Sequence, residues 1–445
     1  MRVREAYLPH NFHSAVESWR DMYLPDYQYL LDSWDKYFPK DPVFKLCAFR
    51  ELGMCDEIEC GDHQGKPKAT KPSELPAETA HHLLGAIRAQ ASTEFGSIQQ
   101  HRLTLARAQD PEEQMWVLRM MAEELRHGYQ MLHLLAEGDW SIASPQSSAD
   151  MIEDILSMQT GSHVLGAFNI DFDSFVDNIV FCGLIDRVGK FQLSFQKISA
   201  YKPMAESMPQ MLREEAFHLA TGVVPMRRFM VRAAEGEVYV TVDMLQKAIN
   251  KWLPRGLEMF GDERGGASNV KMGLKPLKNA EAQAQYYAEV GKVVEDLNLR
   301  YLRTKRPNYP IAEAKSALKK LEAERGTVDG ISWDEILHMP HLEFFRRRGQ
   351  PSFKMVGFEG EIFTEVQDYL RHVAKHLPES YLASRDFRDY AEVLKKVASG
   401  EVTAEQGGKF MPELRRVGGN CPCSKSVRWV REENLPEAGV LVNGG

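Results

Sequence analysis

The stretches Glu124-Leu-Arg-His127 and Glu215-Ala-Phe-His218 decide the fold. A Glu and a His three residues apart share one face of a helix, where both can grip a single metal ion. Each tetrad follows a lone carboxylate one helix upstream: Glu94 lies 30 residues before Glu124, and Asp186 lies 29 before Glu215. Two tetrads and two further acids set four carboxylates and two imidazoles around the core of a bundle. That is the ligand set of the ferritin-like di-metal carboxylate proteins. The expected fold is mainly α, a ferritin-like four-helix bundle with N-terminal and C-terminal helical extensions.

The same tetrad recurs at Glu78…His81 and Glu335…His338. Pro340 closes the second stretch, and Glu78 starts its helix with no carboxylate one helix before it, so neither is expected to bind metal. The four ligand-bearing segments, about 77–108, 111–138, 172–199 and 205–234, are expected to be long, apolar helices free of proline. Pro111 suits a first helical position after an Asp110 cap, and Gly138 is a stop signal. The connections run short, long, short, and the long one (139–171) is the crossover such a bundle needs. Three parts are expected: an aromatic-rich N-terminal extension of short helices and loops over 1–75, the bundle over 76–235, and a helical extension with loops over 236–445. In the last part, helices are expected near 241–261, 279–305, 311–325, 361–375 and 386–398.

With 445 residues, 43% hydrophobic and 27% charged, the chain has ample material for a core. A net charge of −8 and the lack of a basic tail argue against a nucleic-acid binder. No apolar run reaches the roughly 18 residues of a membrane span, and MRVREAYLPHNFHSAVESW has no secretory core, so the expected location is cytoplasmic. Six cysteines form no disulfide framework. Cys47, Cys55, Cys60 and His63, and separately Cys421 and Cys423, admit a structural zinc site, but their spacing matches no common finger, and free thiols are expected. Cys182 reads as core. No Gly-rich dinucleotide fingerprint or Walker motif is visible, so no flavin or NAD(P) site is expected in this chain.

Carboxylates with imidazoles suit iron, with manganese as the alternative. Spacing assigns Glu94, Glu124 and His127 to one ion and Asp186, Glu215 and His218 to the other, with Glu124 and Glu215 as candidate bridges. Gln90, one turn before Glu94, faces the same cavity as a supporting residue. Arg126 and Arg187 are placed to pair with acids on adjacent helices. Met120, Phe181, Phe191 and Phe217 read as core, and Arg346-Arg347-Arg348 as a solvated patch. Buried acids and imidazoles without an ion would leave uncompensated charge, so metal is expected to support folding as well as chemistry.

Three stretches resemble a known family: Asp186-Arg-Val-Gly-Lys-Phe-Gln-Leu193, Glu214-Glu-Ala-Phe-His-Leu219, and Gln90-Ala-Ser-Thr-Glu94 followed by Gln99-Gln100. They look like the benzoyl-CoA epoxidase oxygenase component, grouped with the phenylacetyl-CoA epoxidase catalytic subunit. The resemblance covers about residues 80–230 and carries that family's ligands onto Glu94, Glu124, His127, Asp186, Glu215 and His218. It implies two non-haem irons, O2 as co-substrate, and an aromatic ring epoxidised while held as a CoA thioester. A separate flavin and iron–sulfur reductase would supply electrons. The chain departs from the family at Phe217, where a second His is common. The expected function is therefore a di-iron oxygenase acting on a small aromatic substrate. A di-iron oxidase, desaturase or N-oxygenase, or a non-catalytic metal-binding bundle, remains the alternative. Monomer and homodimer are both open.

Overall fold

Two helical pairs build the molecule. α1 (Ala77–Leu105) packs along α2 (Pro111–Glu137), and α4 (Phe175–Gln196) packs along α5 (Lys202–Glu235). Short connections make each pair antiparallel, while α2 on α5 and α1 on α4 close a ferritin-like four-helix bundle. Between the pairs runs the long crossover, which contains α3 (Ser148–Leu156) and a 3₁₀ turn at Gly166–Asn169. This computed structural model describes residues 2–7, 47–105, 107–108, 111–261, 263–345 and 354–407. The aromatic-rich stretch 8–46, Asp110, Arg346–Arg348 and Cys421–Cys423 lie outside the described residues.

Local chemistry sets the helix ends. Pro111 opens α2, with Glu112 and Glu113 in the first turn where the helix dipole favours acids. Ser174 caps α4 by accepting from the Val176 N–H. α5 corrects the expectation of proline-free helices, because Pro209 and Pro225 lie inside it. Each proline removes one rung of the hydrogen-bond ladder. The remaining rungs, and packing against α4 along its length, keep the helix continuous. α4 and α5 touch backbone to backbone at one point: a Cβ on Gly222 would fall 2.2 Å from the Gly183 nitrogen. Only two glycines allow that approach.

In the N-terminal part, residues 2–7 and 47–52 form strands where short helices and loops were expected, while 53–75 is loop with a 3₁₀ turn at Pro72–Glu74, in line with that expectation. β1 (Arg2–Tyr7) pairs antiparallel with β2 (Cys47–Leu52), and β2 lies across α2 and α5. The Phe49 N–H donates to Gln130 Oε1 at 2.7 Å, and Arg50 pairs with Glu206 at 2.7 Å.

On the other side, α6 (Val242–Met259) crosses α4, a short α7 (Glu263–Lys271) follows, and α8 (Asn279–Lys305) runs along α5. Beyond it come α9 (Ile311–Glu324), the two-stranded ribbons β3–β4 (Thr327–Val328, Ile331–Ser332) and β5–β6 (Met355–Val356, Ile362–Phe363), then α10 (Val366–His376), α11 (Glu379–Leu382) and α12 (Arg385–Ala398). This layer is anchored by buried cations. Lys251 reaches Asp173 at 3.2 Å and Asp177 at 3.1 Å, and Arg255 pairs with Asp386 at 2.7 Å. One apolar core is continuous from Ala167 to Leu394 through Trp252 and Tyr286. A second fills the space around α1, α2 and α3.

The crossover is pinned to α1 by polar groups that the apolar pattern does not report. Gln100 donates to the carbonyls of Ala167 and Ile170 at 2.8 and 2.7 Å. His163, buried, pairs through Nε2 with Gln99 Oε1 at 2.9 Å and through Nδ1 with Ser92 Oγ at 3.2 Å. Burial pushes its pKa down to about 3, so the folded chain holds a neutral ring. The unfolded chain takes up a proton below about pH 6.5, and the folded chain does not. The His163 contribution is thus complete above pH 6.5 and falls by about 1.4 kcal/mol per unit below it. Urea unfolding of wild type and His163→Gln at pH 7.5 and pH 5 should therefore show the variant's deficit shrinking by about 2 kcal/mol. Parallel stability curves would refute this account of the crossover.

Candidate metal centre

α1 presents Glu94, α2 presents Glu124 and His127, α4 presents Asp186, and α5 presents Glu215 and His218. All six are at most 6% exposed. His127 Nδ1 lies 3.5 Å from Glu124 Oε2 and 3.7 Å from Glu94 Oε2. Ligand atoms of these three residues fall within 4.8 Å of one another, close enough to hold one ion. On the other side, His218 Nδ1 lies 3.2 Å from Glu215 Oε2 and 3.7 Å from Glu124 Oε1. Glu124 therefore stands between two imidazoles whose ring centroids are 5.7 Å apart, whereas Glu215 meets His218 alone. Asp186 shares their cavity, and its Oδ2 is buried with no hydrogen-bond partner. An orphaned carboxylate oxygen beside acids and imidazoles is what a divalent cation would satisfy.

The electrostatics express the same crowding. Burial raises the pKa of Glu94 well above the usual carboxylate range, and the charge of Glu124 adds to it. Asp186 is raised by burial and then by Glu215 and Glu124. Glu215 is also raised, by burial. Glu124 goes the other way. Burial opposes its ionisation, but contacts with Glu94 and His127 and the charge of His218 outweigh that and hold it low. Protons shared among these acids are what a bound cation would displace.

Two residues unsuspected from the spacing hold the imidazoles. Glu214 Oε2 lies 2.8 Å from His127 Nε2, and Glu123 Oε2 lies 3.0 Å from His218 Nε2. The pairing is crosswise: each acid precedes its own tetrad and grips the histidine of the opposite helix. A neutral ring that donates through Nε2 leaves the Nδ1 lone pair facing the carboxylates. Arg126 in turn donates to Glu214 at 2.8 Å, and Arg119 to Glu123 at 2.9 Å. The available signal was the repeated doublet: both motifs read Glu-Glu-x-x-His.

Gln90 donates to Glu94, as its position one turn away suggested. Ser97, one turn after Glu94, donates to Glu124 at 3.0 Å. Arg187 pairs with Glu289 on α8, away from the carboxylates. Gly189, one turn after Asp186, makes room for Glu215: a Cβ there would lie 2.5 Å from Glu215 Oε1. Phe181 and Met120 are core, and Cys182 is buried between Met120 and His101. Phe217 is half-buried beneath the Arg119 guanidinium. The other two tetrads take no part: Glu78 and His81 are exposed, and Glu335 ends a 3₁₀ turn. Cys55, Cys60 and His63 gather no metal group among the described residues, where the Glu94–Glu124–His127 group is found. Nor is any described helix long and apolar enough to cross a membrane.

A cavity of about 1180 Å³ opens from the carboxylates and runs between α1 and α4. Its lining includes the carboxylates Glu94, Glu124, Asp186 and Glu215, and also His82, Arg88 and Lys275. Apolar side chains, among them Ile185, Leu193, Phe168 and Phe260, also line it. Such an arrangement can hold a cation pair next to an organic ligand and shield both from water.

Residues 65–309 of the 445 match the phenylacetic acid catabolic protein family. The benzoyl-CoA oxygenase component B of Aromatoleum evansii is 28% identical over 179 residues. That match covers 40% of this chain and 37% of the relative, so it spans little more than a third of that protein. Every carboxylate and imidazole of the centre falls within the family match, and the chain belongs to the phenylacetic acid catabolic protein family.

Proposed function

We propose that this chain is the oxygenase component of a non-haem di-iron system, which uses O2 to oxygenate an aromatic substrate held as a CoA thioester, by epoxidation. The observation that carries the reading is a buried set of four carboxylates and two imidazoles, the carboxylates lining an organic-sized cavity. The relative named a benzoyl-CoA oxygenase component supports the substrate class. Glu94, Glu124 and His127 would hold one iron, and Asp186, Glu215 and His218 the other, with Glu124 between them. When bound, the iron pair supplies reduction of O2 and delivery of one oxygen atom to the substrate.

The chain's own residues do the positioning. Glu123 and Glu214 hold both imidazoles with Nδ1 facing inward, and Gln90 steadies Glu94. Apolar walls beside the carboxylates keep water from the reacting groups and hold the ring near them. Electrons would come from a separate flavin and iron–sulfur reductase, in keeping with a relative named as one component of a larger oxygenase.

Turnover of benzoyl-CoA under ¹⁸O2 with an electron donor tests the reading. One labelled atom should enter the product. Consumption of O2 without label in any product would point to an oxidase or desaturase, and no consumption would end the proposal. A second check addresses the seat of Glu215. In Gly189→Ala the new methyl displaces that carboxylate, so bound iron should fall from about two per chain toward one. Stability of the metal-free chain should change by no more than about 1 kcal/mol, because alanine is the better helix former. Adding Glu215→Asp, one methylene shorter, should restore part of the iron. Unchanged iron content in Gly189→Ala would show that Glu215 is not a ligand.

A further inference from the structure

The two halves of the centre carry the same kinds of ligand but are not equally prepared for an ion. On the first side, ligand atoms of Glu94, Glu124 and His127 converge within 4.8 Å of one another. Among the described residues no other group of three acids, imidazoles or thiols converges so closely, although Asp186, Glu215 and His218 are all described. On that second side His218 and Glu215 are near each other at 3.2 Å, while Asp186 Oδ2 has no hydrogen-bond partner.

The support behind each ligand differs in the same direction. Glu94 accepts from Gln90, Glu124 accepts from Ser97, and His127 is held by Glu214, which Arg126 holds in turn. Every ligand of the first side is thus fixed by a neighbour that is not itself a ligand. On the second side only His218 is fixed so firmly, by Glu123. Among the described residues Glu215 meets no partner but His218, and Asp186 has beside it only the Cys182 thiol, a weak donor. Glu124 repeats the asymmetry atom by atom. Its Oε2 faces His127 on the first side, whereas Oε1, which faces His218, is shared with Ser97 at 3.0 Å.

We infer that the two metal sites are unequal and fill in order: Glu94, Glu124 and His127 take the first ion and hold it tightly, and Asp186, Glu215 and His218 take a second, weaker and exchangeable one. Ligands fixed before the ion arrives lose little freedom on binding, whereas ligands that must be gathered lose more. Immobilising the two loosely held carboxylates of the second side weakens its ion by about tenfold. A chain carrying one ion is then a defined state, and metal supply acts on the second site. This inference rests on the di-metal part of the reading above and is independent of the substrate.

Anaerobic titration of the metal-free, full-length protein with Co(II), read by calorimetry and by the visible absorption of the bound ion, tests it. Two steps of one ion each should appear, the second weaker by about tenfold or more. Repulsion between two ions would also weaken a second step, so matched variants on the two sides decide. Asp186→Asn should remove the second step and leave the first within about threefold, whereas Glu94→Gln should weaken the first by about tenfold or more. Gln90→Ala removes a support and no ligand, and should weaken the first step by about threefold, as one hydrogen bond allows. The melting temperature of each metal-free variant shows that it is folded. Equal sites would make Asp186→Asn and Glu94→Gln alike, each keeping one ion at the same affinity, and that result would overturn the inference. A single step of two ions in the wild-type chain would also overturn it, and no binding would remove it together with the metal centre. Oxygen insertion is read separately, after loading with Fe(II). A chain that inserts oxygen but binds two ions alike loses this inference alone. Ordered binding in a chain that inserts no oxygen contradicts only the oxygenase reading.

Discussion

Ionisable groups gathered out of water around Glu124 are the constraint on which the rest depends. Glu124 faces the Nδ1 atoms of His127 and His218 from within hydrogen-bonding or near-contact range, while Glu94 and Asp186 are pushed toward their protonated forms by burial and by its charge. Charges in such a place are costly unless each is matched. The crosswise pairs His127–Glu214 and His218–Glu123, each completed by an arginine from α2, provide half of that matching. A divalent cation pair would provide the other half.

The architecture keeps that arrangement rigid. α4 and α5 meet at Gly183 and Gly222 close to the ligand-bearing turns, so neither helix can slide without a backbone clash. The crossover is bolted to α1 through His163 and Gln100 on the turns that carry Glu94 and Ser97. The outer layer is fastened by Lys251 and Arg255, which are fully buried and ion-paired. Rigid elements around a metal centre are what hold ligands in productive geometry. The cavity beside them stays open because its wall is shared between α1, α4 and the start of the outer layer, including Phe260 and Leu274.

Much of this is legible in the chain, for physical reasons that differ by element. Helical periodicity and punctuation carry α2 to Pro111 and α8 to Asn279–Lys305 without the structure. The carboxylate-tetrad order points to the six residues that gather in the core. Glu123 and Glu214 are not legible from spacing, because a glutamate beside a glutamate faces another side of the helix, and only the packed bundle reveals which histidine meets it. The β1–β2 pair is invisible in the sequence because its partners are forty to fifty residues apart and pairing of that range leaves no local pattern. Pro209 and Pro225 argue against a long helix locally, and tertiary packing overrides them.

What separates a functional centre from an accident of spacing is whether the buried acids bind metal in a fixed ratio. Iron per chain after anaerobic loading with Fe(II), in wild type and in Glu124→Ala, asks this directly. The account predicts about two irons per wild-type chain. In Glu124→Ala it predicts little bound iron and no rise in melting temperature on loading. Negligible iron in the wild-type chain, with melting unaffected by Fe(II), would contradict it.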